Sequence, residues 1–68
     1  MLGRYILELG VGNTSIGFLE SWHKDKRSMT VCNNRNSARY FTTGKACKTM
    51  IETINLAYPQ IGVKIHEF

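Results

Sequence analysis

The residues most able to take part in chemistry are basic, and they lie in the middle of the chain. Positions 21–51 hold seven Lys or Arg side chains and one acidic residue, Asp25, whereas the whole 68-residue chain has a net charge of +4. Clustered cations bind phosphates and carboxylates. The charge pattern therefore favours an anionic partner, either a polyanion or an acidic protein surface. The alternative is a solvated basic surface that only keeps the protein soluble.

Aromatic and amide side chains are interspersed among these cations. Trp22, Tyr40 and Phe41 could stack on nucleobases, and Asn or Arg side chains could read base edges. The alternative is that Phe41 belongs to the core and Trp22 covers one edge of a sheet, which leaves Tyr40 as the aromatic available to a partner. The candidate partner-binding residues are Lys24, Lys26, Arg27, Arg35, Arg39, Tyr40, Lys45, Lys48 and Leu56.

The glycines at positions 10, 12 and 17 raise the question of a phosphate-binding loop. Such loops cradle an anion with backbone amides at the start of a helix. Here Ser15 stands where the dinucleotide pattern has its third glycine, and residues 16–22 have the alternation of a strand. A hairpin turn is the better interpretation.

Catalytic and metal-binding equipment is sparse. His23, Cys32, Cys47 and His66 have none of the close spacings that typify zinc sites. The five acidic residues and two histidines are scattered, and a domain of this size has little room for a water-excluding pocket. We expect no enzyme activity, no cofactor and no metal, and we expect reduced thiols, although a Cys32–Cys47 pair is the alternative.

An amphipathic helix over about residues 43–57 is the clearest element. Thr42 or Thr43 can cap its N-terminus, and with Thr42 as the cap Phe41 and Ala46 would form a hydrophobic staple. Pro59 ends the helix. The apolar stripe contains Ala46, Cys47, Met50, Ile51, Ile54, Ala57 and Tyr58. Leu56 falls on the opposite side, where it could anchor a protein contact.

Strand patterns occupy most of the remaining chain. They cover residues 4–9, with Tyr5, Leu7 and Leu9 on one face; 16–22, with Ile16, Phe18 and Trp22 on one face; 28–32; a short stretch at 38–41; and 63–68. The order β-β-β-α-β predicts a single α+β domain over residues 1–68. Its architecture would be a small, mostly antiparallel sheet of three to five strands with one amphipathic helix packed on one face.

No stretch of the sequence resembles a secretion signal or a membrane span. We therefore expect a cytoplasmic protein without a membrane partner. An edge strand in so short a sheet also makes a homodimer possible.

The segment Ala38-Arg39-Tyr40-Phe41-Thr42-Thr43-Gly44-Lys45-Ala46, with its helix ending at Tyr58-Pro59 and a final strand, resembles the ending of many short accessory proteins of bacteriophages and prophages. The resemblance implies a protein that binds and modulates or inhibits a host protein, including host-defence systems, in the host cytoplasm. That is our first hypothesis.

The pattern of Phe41, Thr43 and Ala46 after three strands also resembles the arm-type DNA-binding domain of phage and transposon integrases, whose three-stranded sheet lies in the major groove. This resemblance implies a reading surface on the second and third strands that would include Lys24, Lys26, Arg27 and Thr30. The second hypothesis is therefore a nucleic-acid-binding module that uses the basic region of residues 23–48.

Overall fold

Four strands and one helix make up the fold in a computed structural model that describes residues 4–67. The elements in chain order are β1 (Tyr5–Val11), β2 (Thr14–His23), β3 (Ser28–Cys32), a 3₁₀ turn (Arg35–Ser37), α1 (Gly44–Ala57) and β4 (Ile61–Glu67). The predicted α+β class and the β-β-β-α-β order are confirmed. Phe68 of the predicted last strand lies outside the described residues.

The sheet is antiparallel throughout, with the strand order β3-β2-β1-β4. Tight hairpins join β1 to β2 and β2 to β3, while α1 carries the chain across one face so that β4 pairs with β1. Gly12 has φ +62° in the two-residue first turn, and the strand β2 rather than a helix follows it, so this segment is a hairpin and not a phosphate loop. Phe41 extends the sheet locally through two 2.8 Å backbone hydrogen bonds with Tyr5.

Helix α1 begins and ends close to the predicted positions. Thr43 is the N-cap, and its hydroxyl accepts a 3.1 Å hydrogen bond from the Ala46 amide. Tyr58 is the C-cap, immediately before Pro59. The predicted staple of Phe41 with Ala46 is wrong because the cap lies one residue later than that pairing requires; Phe41 instead enters the core, in one cluster with Cys47.

The core lies between α1 and the sheet. Its fully buried members include Leu7, Leu9, Leu19, Cys47 and Ile54. Leu7 and Leu9 alternate with Glu8 as the strand pattern predicted, and Cys47 and Ile54 lie on the predicted apolar stripe. The apolar faces of sheet and helix are therefore buried against each other, which is the main stabilising contribution in a domain of this size.

The predicted common face for Ile16, Phe18 and Trp22 is wrong. The pairing between β2 and β3 shifts register between Leu19 and Ser21, so Phe18 pairs with Cys32 but Trp22 pairs with Met29. A bulge reverses the alternation of side chains beyond it. Trp22 therefore packs on the helix side with Leu19, whereas Phe18 lies on the opposite face of the sheet.

We call that opposite face the outer face. It carries Glu8, Phe18 and His66, and it also carries Ile6, which is fully buried although it lies outside the core cluster under α1. No helix within residues 4–67 is long and apolar enough to cross a bilayer.

Candidate functional site

A groove of about 530 Å³ opens between α1 and the β2 side of the sheet. Three cations from three different parts of the chain line it: Lys24, Arg39 and Lys45. No acidic side chain is among its lining residues within the described part of the chain. The groove therefore presents positive charge around a concave surface, which suits an anionic group.

The local backbone structure fixes the position of each cation. Lys24 follows directly after β2, in a turn closed by a hydrogen bond from the Arg27 amide to the Lys24 carbonyl. The Arg39 backbone amide donates a 2.9 Å hydrogen bond to the Leu19 carbonyl, and its guanidinium carbon lies 5.3 Å from the centroid of the Phe41 ring. Lys45 lies in the first turn of α1.

The floor of the groove is apolar and aromatic. Trp22 and Phe41 contribute their rings, together with Ala46 and Met50 from the helix. The Trp22 ring meets the Tyr58 ring edge-on, with centroids 6.4 Å apart, so it is held in place by the end of α1. A partner could therefore place an apolar side chain on this floor between the cations.

A row of threonines forms the helix wall of the groove. Thr43, Thr49 and Thr53 all line it. The Thr49 hydroxyl donates to the Lys45 carbonyl and the Thr53 hydroxyl donates to the Thr49 carbonyl, at 3.1 and 3.0 Å. Because these hydroxyls bond to their own helix, the threonine methyl groups extend the apolar wall.

Helical periodicity extends this wall to Leu56. Leu56 follows Thr53 by three positions and Thr49 by seven, so it lies on the same side of α1. Its side chain is 81% exposed. The groove thus continues into an unusually exposed leucine at the far end of the helix.

The other predicted partner-binding residues lie outside the groove. Lys26 and Arg27 are exposed in the β2–β3 turn, next to Lys24, and Arg27 has φ +49°. The guanidinium carbon of Arg35 lies 5.9 Å from the Phe18 ring centroid on the outer face, and the Tyr40 ring lies 5.5 Å from the guanidinium carbon of Arg4. Lys48 is exposed on α1, on the side turned away from Thr49 and Thr53.

The structure thus brings together three of the nine predicted residues, and the sequence interpretation missed several of their neighbours. Trp22 and Phe41 were assigned to structural positions, but both also line the groove. Thr43 was considered only as a helix cap, and Thr49 and Thr53 were missed, although the spacing of Lys45, Thr49 and Thr53 at i, i+4 and i+8 indicates one helix side. That periodicity is the signal that would have found them.

A second, more polar depression of about 390 Å³ lies at the hairpin end of the outer face. Its lining includes the Glu8 carboxylate, Ser15 and Lys64, with Gly10 and Gly62 beneath. Glu8 accepts hydrogen bonds from the Ser15 hydroxyl at 2.6 Å and contacts the His66 ring nitrogen at 2.7 Å. These hydrogen bonds, from Ser15 first and then His66, lower the pKa of Glu8 below its ordinary value of 4.5.

The carboxylate stands between the hydroxyl and the imidazole, so Ser15 and His66 both bond to Glu8 rather than to each other. This order does not make a nucleophile, because an activated serine must bond to its base directly. Within residues 4–67 no group of three His, Cys, Asp or Glu side chains lies close enough to hold a metal ion. Cys32 and Cys47 are not joined in a disulfide, and burial raises the pKa of the Cys47 thiol.

No protein-family model, curated protein or solved structure matches this chain.

Proposed function

We propose that this protein is a non-catalytic binding module whose groove holds an acidic segment of a partner protein. The observation that carries the proposal is the convergence of Lys24, Arg39 and Lys45 around an apolar floor made by Trp22 and Phe41. If the protein is of the phage type that the sequence resembles, binding of an acidic segment of a host protein in this groove would modulate or inhibit that protein.

Charge and polarity together favour a protein segment. Three cations would attract carboxylates and orient them, and the apolar floor would take a hydrophobic side chain between them. The exposed Leu56 extends this apolar surface beyond the groove. An acidic segment with one or two large hydrophobic residues matches this combination of surfaces.

Nucleic acid is the second candidate, and the β2–β3 turn favours it. Lys26 and Arg27 continue the positive charge from Lys24 around the outside of the molecule. The outer face of the sheet argues against it as the reading surface, because Glu8 carries a stabilised negative charge there and would repel phosphates. We therefore place nucleic acid second.

The single tryptophan of the chain lines the groove, so its fluorescence reports occupancy. The probe is a synthetic twelve-residue peptide of Asp and Glu with two central leucines. Titration at low salt should change the Trp22 emission and saturate. A peptide of the same charge with Ser in place of the leucines should bind more weakly, because it leaves the floor uncovered.

Charge reversal identifies the surface. Lys45→Glu and Arg39→Glu should each weaken peptide binding by about tenfold or more, which corresponds to roughly 1.4 kcal/mol. Lys48→Glu is the matched control, because it makes the same charge change on the side of α1 turned away from the groove. Equal losses in Lys45→Glu and Lys48→Glu would show that net charge, rather than the groove, governs binding.

The nucleic-acid alternative is tested in the same assay with a duplex and a single-stranded oligonucleotide. Tighter binding of either one than of the peptide, with a steep loss of affinity as salt is added and a further loss in Lys26→Glu, would replace the protein partner by nucleic acid. Absence of any Trp22 response to the leucine-containing peptide, the duplex and the single strand would overturn the groove as a binding site.

A further inference from the structure

The β4 edge of the sheet is long, regular and unprotected. Each of its seven residues pairs with β1, with no shift of register from Tyr5–Glu67 to Val11–Ile61. Within residues 4–67, no strand lies on its other side. An edge of this kind presents backbone donors and acceptors that a further strand can pair with.

The other edge is less suitable for pairing. β3 has five residues, and the bulge in β2 interrupts its pairing and increases the local twist. Short, twisted edges are among the devices by which proteins avoid edge-to-edge association. β4 has neither device, although Lys64 lies at its centre.

β4 also carries apolar surface that its own chain leaves uncovered. Val63 and Ile65 lie on the helix side of the strand, opposite Leu9 and Leu7 of β1. Ile65 is 46% exposed even though its partner Leu7 is fully buried. An isoleucine at an edge can be covered only by something that lies alongside that edge.

Two-fold symmetry allows three central registers for the pairing of two β4 strands. Pairing centred on Lys64 would set two ammonium groups opposite each other, which is destabilising. Pairing centred on Ile65 would put Val63 opposite Glu67, and Lys64 opposite His66. Pairing centred on Val63 sets Val63 against itself, Ile61 against Ile65 and Lys64 against Gly62.

We propose that the protein associates with a second copy of itself by antiparallel pairing of the two β4 strands centred on Val63, which makes one continuous eight-stranded sheet. In this register each exposed Ile65 packs beside the buried Ile61 of the other copy. Three apolar cross-strand pairs then lie in a row on the helix side of the sheet, each contributing up to about 1 kcal/mol.

The outer face is complementary in this register as well. Each Lys64 lies opposite a glycine, Gly62, whose own partner across β1 is Gly10. The two glycines leave a trough in the polar depression, and the wall of that depression carries the Glu8 carboxylate. The Lys64 stem of one copy can therefore cross the trough of the other with its ammonium directed towards Glu8.

The experiment combines sedimentation equilibrium with cysteine cross-linking of the full chain. The wild-type mass should rise from one chain to two as concentration increases. Ile65→Lys should shift the dissociation constant upward by at least tenfold, because it places a cation in the apolar row. Ile16→Lys is the matched control, since Ile16 is similarly exposed (39%) in β2, away from the β4 edge.

Cross-linking then fixes the register, in a Cys32→Ser background that leaves only the buried Cys47. Val63→Cys should form a disulfide-linked dimer under mild oxidation. Lys64→Cys and Ile65→Cys should not, because their symmetry mates would be about 8 and 14 Å apart, beyond the reach of a disulfide. An equimolar mixture of Ile61→Cys and Ile65→Cys should form the mixed dimer.

A wild-type chain that remains monomeric at the highest concentration reached would overturn the proposal. So would preferential cross-linking at position 64 or 65, or at Thr30→Cys in β3. Because the groove lies on the β2 side of the sheet, peptide binding by the groove can succeed or fail independently of these results.

Discussion

The Glu8 carboxylate is held by two side chains, one from each of the strands that flank β1. Ser15 reaches it from β2, and His66 reaches it from β4, 58 positions away along the chain. Both contacts favour the ionised form, so the pKa of Glu8 is lowered in the folded chain. Because these contacts exist only when β1, β2 and β4 are assembled, the stability of the folded sheet should depend on the ionisation of Glu8.

The sign of this linkage gives a prediction for acid unfolding. As pH falls below about 4.5, Glu8 in the unfolded chain takes up its proton before Glu8 in the folded chain does. Stability from this group is therefore present above the unfolded pKa and is lost as pH falls through the folded pKa. In Glu8→Gln the loss of stability between pH 5 and pH 3, measured by urea unfolding, should be smaller than in the wild type.

Glu20→Gln is the control for that measurement, because it makes the same charge change at an exposed position of β2. Its profile should stay close to that of the wild type. A Glu8→Gln variant that loses stability as steeply as the wild type over this range would contradict the linkage.

Thr43 and Thr42 allow a direct test of the helix cap. Thr43→Ala removes the acceptor of the Ala46 amide and should lower the free energy of unfolding by about 1 kcal/mol. Thr42→Ala should change it much less, because Thr42 is exposed and is not the cap. The comparison by chemical denaturation distinguishes the two caps that the sequence left open; a larger loss in Thr42→Ala would reverse the assignment.

At the scale of the elements, α1 has a cation where helices favour an anion. No acidic residue lies in its first turn, and Lys45 occupies the second helical position. The partial positive charge of the helix N-terminus therefore disfavours Lys45. This arrangement is expected where a side chain serves binding at some cost in stability.

Lys45→Glu should consequently raise the free energy of unfolding by about 0.3–1 kcal/mol while it weakens binding of the acidic peptide. Thermal unfolding and the Trp22 titration, carried out on the same sample, measure the two effects. A variant that is both less stable and weaker in binding would show that the lost affinity comes from damage to the fold.

Gly17 is a position in β2 where both the backbone conformation and the neighbouring strand exclude a side chain. Its φ is +129°, and a Cβ at this position would lie 2.5 Å from the Cys32 carbonyl oxygen in β3. Gly17→Ala should therefore destabilise the protein by at least about 2 kcal/mol. Gly44→Ala is the matched control, because a Cβ there meets nothing within 4 Å; it should leave stability unchanged or raise it slightly, as melting temperatures would show.

The sequence was sufficient to predict the helix, the order of the elements along the chain and the mostly antiparallel sheet, but not the order of the strands within that sheet. Those features depend on local signals: a cap, a proline, an apolar stripe and the alternation of side chains. The bulge near Glu20 could not be predicted, because it depends on how β2 meets β3 rather than on β2 itself. The wrong prediction that Phe18 and Trp22 share a face follows from the one extra residue that this bulge adds to β2.

For the candidate site, the sequence could predict only that cations are concentrated in one stretch of the chain, not which of them lie together. Seven cations in one stretch were visible in the sequence, but the choice of Lys24, Arg39 and Lys45 depends on three separate elements that meet in space. Arg35 shows the opposite case, because the same stretch of chain turns its side chain towards Phe18 on the other face. Sequence proximity is a weak guide to which cations act together.

At the scale of the whole molecule, the strand order determines how the chain should fold. The β1–β2–β3 meander is made of neighbouring hairpins, whereas β4 must return to β1 across the helix. Closing the longer loop costs more entropy, so the meander should form before β4 docks.

Two buried core residues test this order. Leu19→Ala, in the meander, should mainly slow folding, whereas Ile61→Ala, in β4, should mainly accelerate unfolding. Each should cost about 2–5 kcal/mol, enough for φ-values from stopped-flow kinetics to be reliable. A higher φ-value at Ile61 than at Leu19 would indicate that β4 docks before the meander is complete.

The placement of the groove on the β2 side has a geometric consequence for the proposed dimer. A two-fold axis perpendicular to the sheet keeps both helices on the same face. Five strand spacings separate the two copies of β2, which is about 24 Å across the sheet. Phe41 lies beside Tyr5, level with Glu67 and four residues from Val63, so the two-fold axis also offsets the grooves by about 27 Å along the strands and places them about 36 Å apart. A target that displays two acidic segments at that spacing could occupy both grooves of one dimer at once. It would therefore bind far more tightly, by avidity, than a target with one such segment.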